Sequence, residues 1–282
     1  MAGTAVRGRL TWQVATVATL TDETDSVRTI ALDLPDWPGH HAGQHLDVRL
    51  TAEDGYSAER SYSIASADGE SVAITVERLA DGEVSPYLTR ELRPGDQMEV
   101  RGPIGDWFTW GPEDGGPLLL IAGGSGVVPL RAILRRWQRS GSNVPARLLY
   151  SSRSLEDVIY RQELDQYRGS AEVRYTLTRR QPAGWNGFAG RVDDAMLARI
   201  AWPASERPLA AAVPPRSARA LRAGHGKRPQ PPRRRVRDHA VPDGRPSSRR
   251  DHLAAPRSDR VPPSCARWAR RPSGASGHAG HP

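Results

Sequence analysis

Residues 9–108 contain six short apolar runs, and in several of them apolar and polar positions alternate. A period of two is typical of a strand with one buried face, and turn segments such as PDWPG and RPGD separate the runs. Together they predict a small antiparallel barrel or sandwich. The segment SPYLTREL interrupts them as a predicted helix, with Ser85 as its N-cap and Pro86 in its first turn. The six runs are WQVATVAT, SVRTIALDL, HLDVRL, SYSIAS, VAITVERL and QMEVRG.

The pattern changes after residue 116, where LLLIAG forms a continuous apolar run of the kind found in a strand covered on both faces. A glycine-rich turn follows, and then PLRAILRRWQRSG is apolar at helical spacing. The next segments alternate between predicted strands (ARLLYSS, EVRYTLTR) and predicted helices (LEDVIYRQELDQY, DDAMLARIAW). This order predicts βαβ units with a parallel sheet. We expect one domain over residues 1–108 and a second, α/β domain over 115–210.

The C-terminal part, residues 211–282, has a different composition. From Leu209 to the end there are 17 Lys and Arg and 4 Asp and Glu, a net charge of +13, and 12 of the 24 prolines. Residues 1–208 keep the remaining 23 basic and 28 acidic residues, a net charge of −5. A segment with so few apolar residues cannot offset its chain entropy by burial, so we expect a disordered basic tail.

Composition excludes several classes of protein. No stretch approaches 18 consecutive apolar residues, and the first residues lack the apolar region of an export signal, so we expect a cytoplasmic protein without membrane partners. Cys265 is the single cysteine of the sequence, which excludes a disulfide framework and an iron–sulfur cluster held by four cysteines of this chain.

Three short segments carry candidate chemistry. On a strand, Arg60 and Tyr62 share a face, so a guanidinium could neutralise a diphosphate while the phenol ring stacks on a flat heterocycle. The alternative is an ordinary half-exposed strand. Gly82 to Ser85 opens the predicted helix and is either an anion-binding turn or simply a capped helix start. Gly123 to Pro129 joins a buried strand to a helix, which is the arrangement of a phosphate-binding turn.

In this order, Arg60-x-Tyr62-Ser63, Gly82-x-x-Ser85, Gly102-Pro-x-Gly105 and Gly123-Gly-x-Gly126-x-x-Pro129 resemble the ferredoxin–NADP reductase superfamily over residues 10–208. The resemblance is to stand-alone bacterial reductases that use FAD. It implies an all-β plus α/β fold, in which an antiparallel Greek-key β-barrel holds FAD and a parallel-sheet domain holds NAD(P)H. The residues that it assigns to FAD are Arg60, Tyr62, Ser63, Gly82, Val84 and Ser85, and those that it assigns to the nicotinamide nucleotide are Gly123, Gly124, Gly126 and Pro129.

The resemblance also places Ser151 and Arg153 at the adenosine ribose of the nucleotide. An arginine there could accept a 2′-phosphate and favour NADPH. The alternative is a surface arginine at the end of a loop. Thr178 and Arg179, after the next strand, are similar candidates.

The implied reaction takes a hydride from NAD(P)H onto FAD and passes electrons singly to a separate ferredoxin or iron–sulfur oxygenase component. A related possibility is a flavin reductase that releases reduced flavin. The alternative from another class is an inactive flavoprotein fold whose basic tail binds polyanions. That tail has one aromatic residue, Trp268, and no periodic pattern, so we expect no specific nucleic-acid partner.

The sequence departs from the family after Ala210. There the family has a Cys-Gly-Pro word that closes the nicotinamide pocket, whereas this chain has Ala211-Ala-Val-Pro-Pro-Arg-Ser217. Codons for these residues, read one base earlier from Ala212, permit Cys-Gly-Pro-Thr. We therefore expect a lost reading frame near Ala210 and Ala211, an impaired nucleotide pocket, and FAD binding that survives better than NAD(P)H binding.

Overall fold

The computed structural model describes residues 10–105, 108–167, 169–213 and 267–268. In the first domain an antiparallel sheet has the order β4-β3-β6-β1-β2-β5, and an isolated bridge between Ile64 and Ile74 joins its two end strands. This curled sheet confirms the predicted antiparallel β domain. Its elements are β1 (Gln13–Thr24), β2 (Val27–Asp33), β3 (His45–Ala52), β4 (Ser57–Ser63), β5 (Ala73–Glu77), α1 (Ser85–Arg90) and β6 (Gln97–Ile104).

Alternation along each strand builds the core of this domain. In β3, Leu46, Val48 and Leu50 are buried, while Asp47 and Arg49 between them point outward. The inward side chains of all six strands form one apolar cluster that α1 covers with Leu88. The period of two in the sequence therefore fixes which face of each strand meets the core.

The second domain is a parallel sheet of order β10-β9-β8-β7-β11, as predicted. The central strand β7 is buried on both sides, by α2 on one face and by α4 on the other, which explains its continuous apolar run. The elements are β7 (Leu118–Gly123), α2 (Val127–Arg139), β8 (Ala146–Ser152), α3 (Arg161–Gln166), β9 (Glu172–Leu177), β10 (Phe188–Ala189), α4 (Asp194–Ile200) and β11 (Leu209–Val213).

The two domains share a core. Val27, Ala42 and Ala65 of the barrel pack in the same buried cluster as the apolar face of α2 and the inner side chains of β7 and β8. The junction between the domains is thus a packed surface, which holds the carboxyl end of β7 close to the barrel.

Two local predictions are wrong. The predicted helix LEDVIYRQELDQY is helical only from Arg161, because Tyr160 has a φ of +60° and cannot lie inside a right-handed helix. Its apolar spacing reflects burial of Val158 and Ile159 in the shared core. Ser85 is also not an N-cap: Val84 occupies that position, and the Ser85 hydroxyl accepts a hydrogen bond from Leu79 N–H at 3.0 Å.

The predicted boundary at residue 210 falls inside β11, which continues to Val213 and pairs with β7 throughout. Residues 267–268 form a short strand, β12 (Arg267–Trp268), parallel to Thr51–Ala52 at the end of β3. The rest of the segment expected to be disordered lies outside the described residues. Within the described part of the chain, no helix has the length and apolar character needed to cross a membrane.

Candidate functional site

Arg60 and Tyr62 lie on the same face of β4, but they have different surroundings. Tyr62 is 4% exposed and packs in the barrel core. Arg60 reaches the surface, where its Nη1 donates to the Glu59 carbonyl at 2.8 Å and its Nη2 lies 3.3 Å from Glu83 Oε2. The structure therefore brings Arg60 next to the turn before α1. The strand of Arg60 and this turn are two of the three candidate segments in the sequence.

The turn before α1 is sterically closed around Gly82. A Cβ on Gly82 would lie 2.9 Å from Ser85 Oγ and 3.2 Å from the Leu79 carbonyl oxygen. Val84 is 2% exposed and anchors the turn in the core, so its side chain does not face a ligand. A main-chain turn beside a guanidinium is a donor set that suits a diphosphate, and in this respect the residues present fit FAD.

Ser63 lies between Arg60 and the domain junction. It ends β4 opposite His45, and two residues later Ala65 packs against the α/β domain. The strand thus runs from the phosphate-type turn at one end to the interdomain core at the other.

The glycine turn from Gly123 to Gly126 follows β7 where the strand order reverses, between β8 on one side and β11 on the other. In open α/β sheets, ligands bind at the carboxyl ends of strands at such a point. Gly124 has a φ of +53°, and a Cβ on Gly126 would lie 2.5 Å from the Val213 carbonyl oxygen. Pro129 is buried in the first turn of α2.

A hydrogen bond that sequence reasoning missed joins this turn to the barrel. Ser125 Oγ donates to Glu77 Oε2 at 2.8 Å, across the domain junction. Glu77 is the last residue of β5, 48 positions earlier in the chain, and no local pattern signals the pair. The contact sets the glycine turn directly beside the barrel.

Ser151 and Arg153 lie at the carboxyl end of β8. Ser151 pairs with Gly123 in the sheet, so it adjoins the glycine turn. Arg153 contacts Asp157 at 3.2 Å, and its carbonyl accepts hydrogen bonds from the N–H groups of Arg179 and Arg180. The main chains of three arginines therefore adjoin at this end of the sheet.

Arg180 also contacts Glu156 at 2.8 Å. The pKa of the Glu156 carboxyl falls to about 2, because its own backbone N–H, the Ser154 hydroxyl and Arg180 all donate hydrogen bonds to the charged form.

A second feature missing from the sequence analysis is an ionic network at the junction. The buried Arg131 of α2 donates to Glu163 Oε2 at 2.6 and 2.8 Å and to the Ala65 carbonyl at 3.0 Å. Its guanidinium also covers the ring of Tyr160, whose hydroxyl bonds to Thr75 of the barrel. A cavity of about 970 Å³ lies beside this network, and its lining contains none of the predicted site residues.

Comparisons with known proteins agree with this architecture. Residues 15–109 match the oxidoreductase FAD-binding domain, and residues 120–212 match the oxidoreductase NAD-binding domain. The chain is 41% identical over 156 residues to ferredoxin–NADP reductase B of Sorangium cellulosum, covering 54% of this chain and 62% of that protein. It is 34% identical over 185 residues to the glycine betaine monooxygenase reductase subunit of Chromohalobacter salexigens, covering 62% and 50%.

Among solved structures, the ferredoxin reductase in carbazole 1,9a-dioxygenase superposes with a TM-score of 0.65 at 23% identity, over 76% of this chain and 64% of that one. At that identity the similarity concerns the fold. The chain spans between half and two thirds of the length of the two relatives.

Over residues 15–212 the chain is thus similar to an oxidoreductase FAD-binding domain followed by an oxidoreductase NAD-binding domain. Its homologues lie in the ferredoxin–NADP reductase family.

Proposed function

We propose that this protein takes a hydride from NAD(P)H and passes electrons one at a time to a separate iron–sulfur protein, either a ferredoxin or an oxygenase component. The observation that carries the proposal is the hydrogen bond that ties Ser125 of the glycine turn to Glu77 at the end of β5, five residues before Gly82. When bound, FAD supplies the exchange between a two-electron donor and a one-electron acceptor. The two relatives named as reductases support this acceptor class.

On the barrel side, Arg60 neutralises the flavin diphosphate, and the main chain of Gly82, Val84 and Ser85 surrounds it. We assign Tyr62 and Ser63 to the flavin ring. Because Tyr62 is 4% exposed in the barrel core, its ring must turn outward to stack on the flavin. These roles need no proton donor or acceptor, since the protein's task is to position two cofactors and exclude water.

On the α/β side, Gly123, Gly124 and Gly126 let the nucleotide diphosphate approach the main chain, and Pro129 lies in the first turn of the helix behind it. Ser151 and Arg153 contact the adenosine ribose. The arginines at this edge favour a 2′-phosphate, because phosphate is the anion that guanidinium groups bind in bidentate geometry.

The test is to purify the full chain, measure its bound flavin, and follow bleaching of the visible flavin absorption by NADH and by NADPH without oxygen. We expect a yellow protein that either nucleotide reduces, with NADPH preferred and the preference lost in Arg153→Ala. Reduced protein should then reduce an added ferredoxin. A colourless protein that is retained on heparin would refute the proposal in favour of polyanion binding.

A further inference from the structure

Glu83 lies in the middle of the turn that the proposed function assigns to the flavin diphosphate. Its carboxylate accepts hydrogen bonds from the Tyr56 hydroxyl, at 3.2 Å to Oε1 and 3.1 Å to Oε2. Its Oε2 also lies 3.3 Å from Arg60 Nη2. The cation expected to meet the diphosphate is thus already in contact with an anion of the protein itself.

Three other arginines among the described barrel residues have partners elsewhere. Arg49 contacts Glu59 at 2.8 Å, Arg101 contacts Asp47 at 2.7 Å, and Arg78 donates to the Asp25 carbonyl at 3.0 Å. A diphosphate at the Gly82 turn would therefore draw on the same guanidinium that Glu83 occupies. Two anions would then compete for one cation.

Resting on the proposed function, we propose that Glu83 is an internal competitor of FAD, a carboxylate that occupies Arg60 in the flavin-free chain and lowers its affinity for the cofactor. The side chains of Arg60 and Glu83 are 48% and 46% exposed. An exposed pair of this kind is weak, so the diphosphate displaces it readily and Glu83 tunes binding without preventing it.

Glu83→Gln tests the proposal, because the amide keeps the shape and can still accept a hydrogen bond from Tyr56 but carries no charge. We expect FAD to bind about twofold to fivefold more tightly to this variant. The gain should shrink as ionic strength rises, because salt screens exposed charges. Damage to the fold would move the affinity in the opposite direction.

Affinity is measured by titrating the flavin-free full chain with FAD and following the quenching of flavin fluorescence, at low and at high KCl. The matched control is Glu59→Gln, which removes the same charge from the preceding strand residue, where the carboxylate contacts Arg49. We expect its FAD affinity to stay within about twofold of the parent chain.

The mechanism is tested in an Arg60→Ala background. If Glu83 acts by occupying Arg60, Glu83→Gln gains nothing there. A gain that persists without Arg60, an unchanged affinity, or weaker binding in Glu83→Gln each overturns the proposal. A parent chain that binds no FAD at all refutes the proposed function, so the two failures are distinguishable.

Discussion

A single methyl group at Gly126 tests whether β11 closes the glycine turn. The new Cβ would lie 2.5 Å from the Val213 carbonyl oxygen and 2.9 Å from Val213 Cγ1, so the turn or the strand must move. We expect Gly126→Ala to weaken NAD(P)H binding by about tenfold or more while FAD content is unchanged, since misplacing a binding element by about 1 Å is costly. Titration of the flavin-loaded chain with NADP⁺ and NAD⁺ measures this.

The control for this substitution is Gly141→Ala. Gly141 has a φ of +63° and no atom within 4 Å of its Cβ position, so alanine there strains the backbone without touching the turn. It should lower stability and leave nucleotide affinity alone. Equal nucleotide affinity in both variants would contradict the role assigned to Gly126.

At the scale of elements, the bond between Ser125 and Glu77 couples the glycine turn to β5. Hydride transfer needs the donor carbon of the nicotinamide close to the acceptor nitrogen of the flavin. Loosening the link between Ser125 and Glu77 should therefore slow flavin reduction at saturating NAD(P)H. We expect about a tenfold slower rate in Ser125→Ala and in Glu77→Ala, with partial recovery in Glu77→Gln, whose amide oxygen still accepts the bond. Stopped-flow bleaching gives the rate, and the dependence on nucleotide concentration separates it from affinity.

Glu70→Gln provides the comparison for that prediction. Glu70 is also a junction carboxylate, but it contacts Arg135 and Arg139 of α2, away from the glycine turn. If Glu70→Gln slows flavin reduction as much as Ser125→Ala, the effect belongs to domain packing in general and the specific role of the link is wrong.

The contacts of Arg131 and Glu163 join α2, α3 and the barrel, and they make stability depend on pH. Burial alone would raise the pKa of the Glu163 carboxyl, but hydrogen bonds from Arg135 and Arg131 lower it overall. A carboxyl with a lowered pKa stabilises the fold above its ordinary pKa, and this contribution is lost as the pH falls through the lowered value.

We therefore expect Glu163→Gln to lose about 3 kcal/mol of unfolding free energy near neutral pH, because it leaves a buried guanidinium without its carboxylate partner. The loss should be smaller in acid, where the parent chain protonates Glu163 too. Urea unfolding at neutral and acidic pH measures both. Glu172→Gln, which removes the carboxylate of a partly exposed pair with Arg147, should cost less than about 1 kcal/mol. If the parent chain and Glu163→Gln differ in unfolding free energy by the same amount at both pH values, the role assigned to Glu163 in the pH dependence is wrong.

At the scale of the whole molecule, we expect the nucleotide-binding half to be less complete than the barrel. The barrel sheet closes on itself through Ile64 and Ile74, whereas β11 ends at Val213 beside the glycine turn, and the match to the NAD-binding domain ends at residue 212. We expect the chain to bind FAD well and NAD(P)H weakly. A variant chain read in the alternative frame after Ala210 should regain nucleotide affinity with its FAD affinity unchanged.

Two experiments test the lost-frame hypothesis. One is resequencing of the gene, and the other is NADPH titration of the present chain and of the alternative-frame chain. Micromolar NADPH affinity in the present chain, or a gene in which no reading frame encodes a Cys-Gly-Pro word at this place, would contradict the lost-frame hypothesis.

Periodicity predicted the strands better than the irregular segments. For β8, the predicted segment ARLLYSS is the strand observed, because a run buried on both faces has few alternative structures. The segment from Leu155 to Tyr160 misled prediction, since its apolar side chains pack in the shared core from a non-helical backbone. Apolar side chains at helical spacing indicate burial, but side chains on irregular backbone can be buried at the same spacing.

The sequence by itself determined the order of the two domains, the faces of their strands and the positions of the glycine turns, because these depend on short-range periodicity and on glycine's backbone freedom. Only the tertiary structure decided that Glu77 meets Ser125, that Glu83 occupies Arg60 and that Arg131 is buried between two domains. The hydrogen bonds of these residues join positions 23 to 66 apart in the sequence, the longest being that of Arg131 with the Ala65 carbonyl. Their contact depends on how the sheets pack, which no local pattern records.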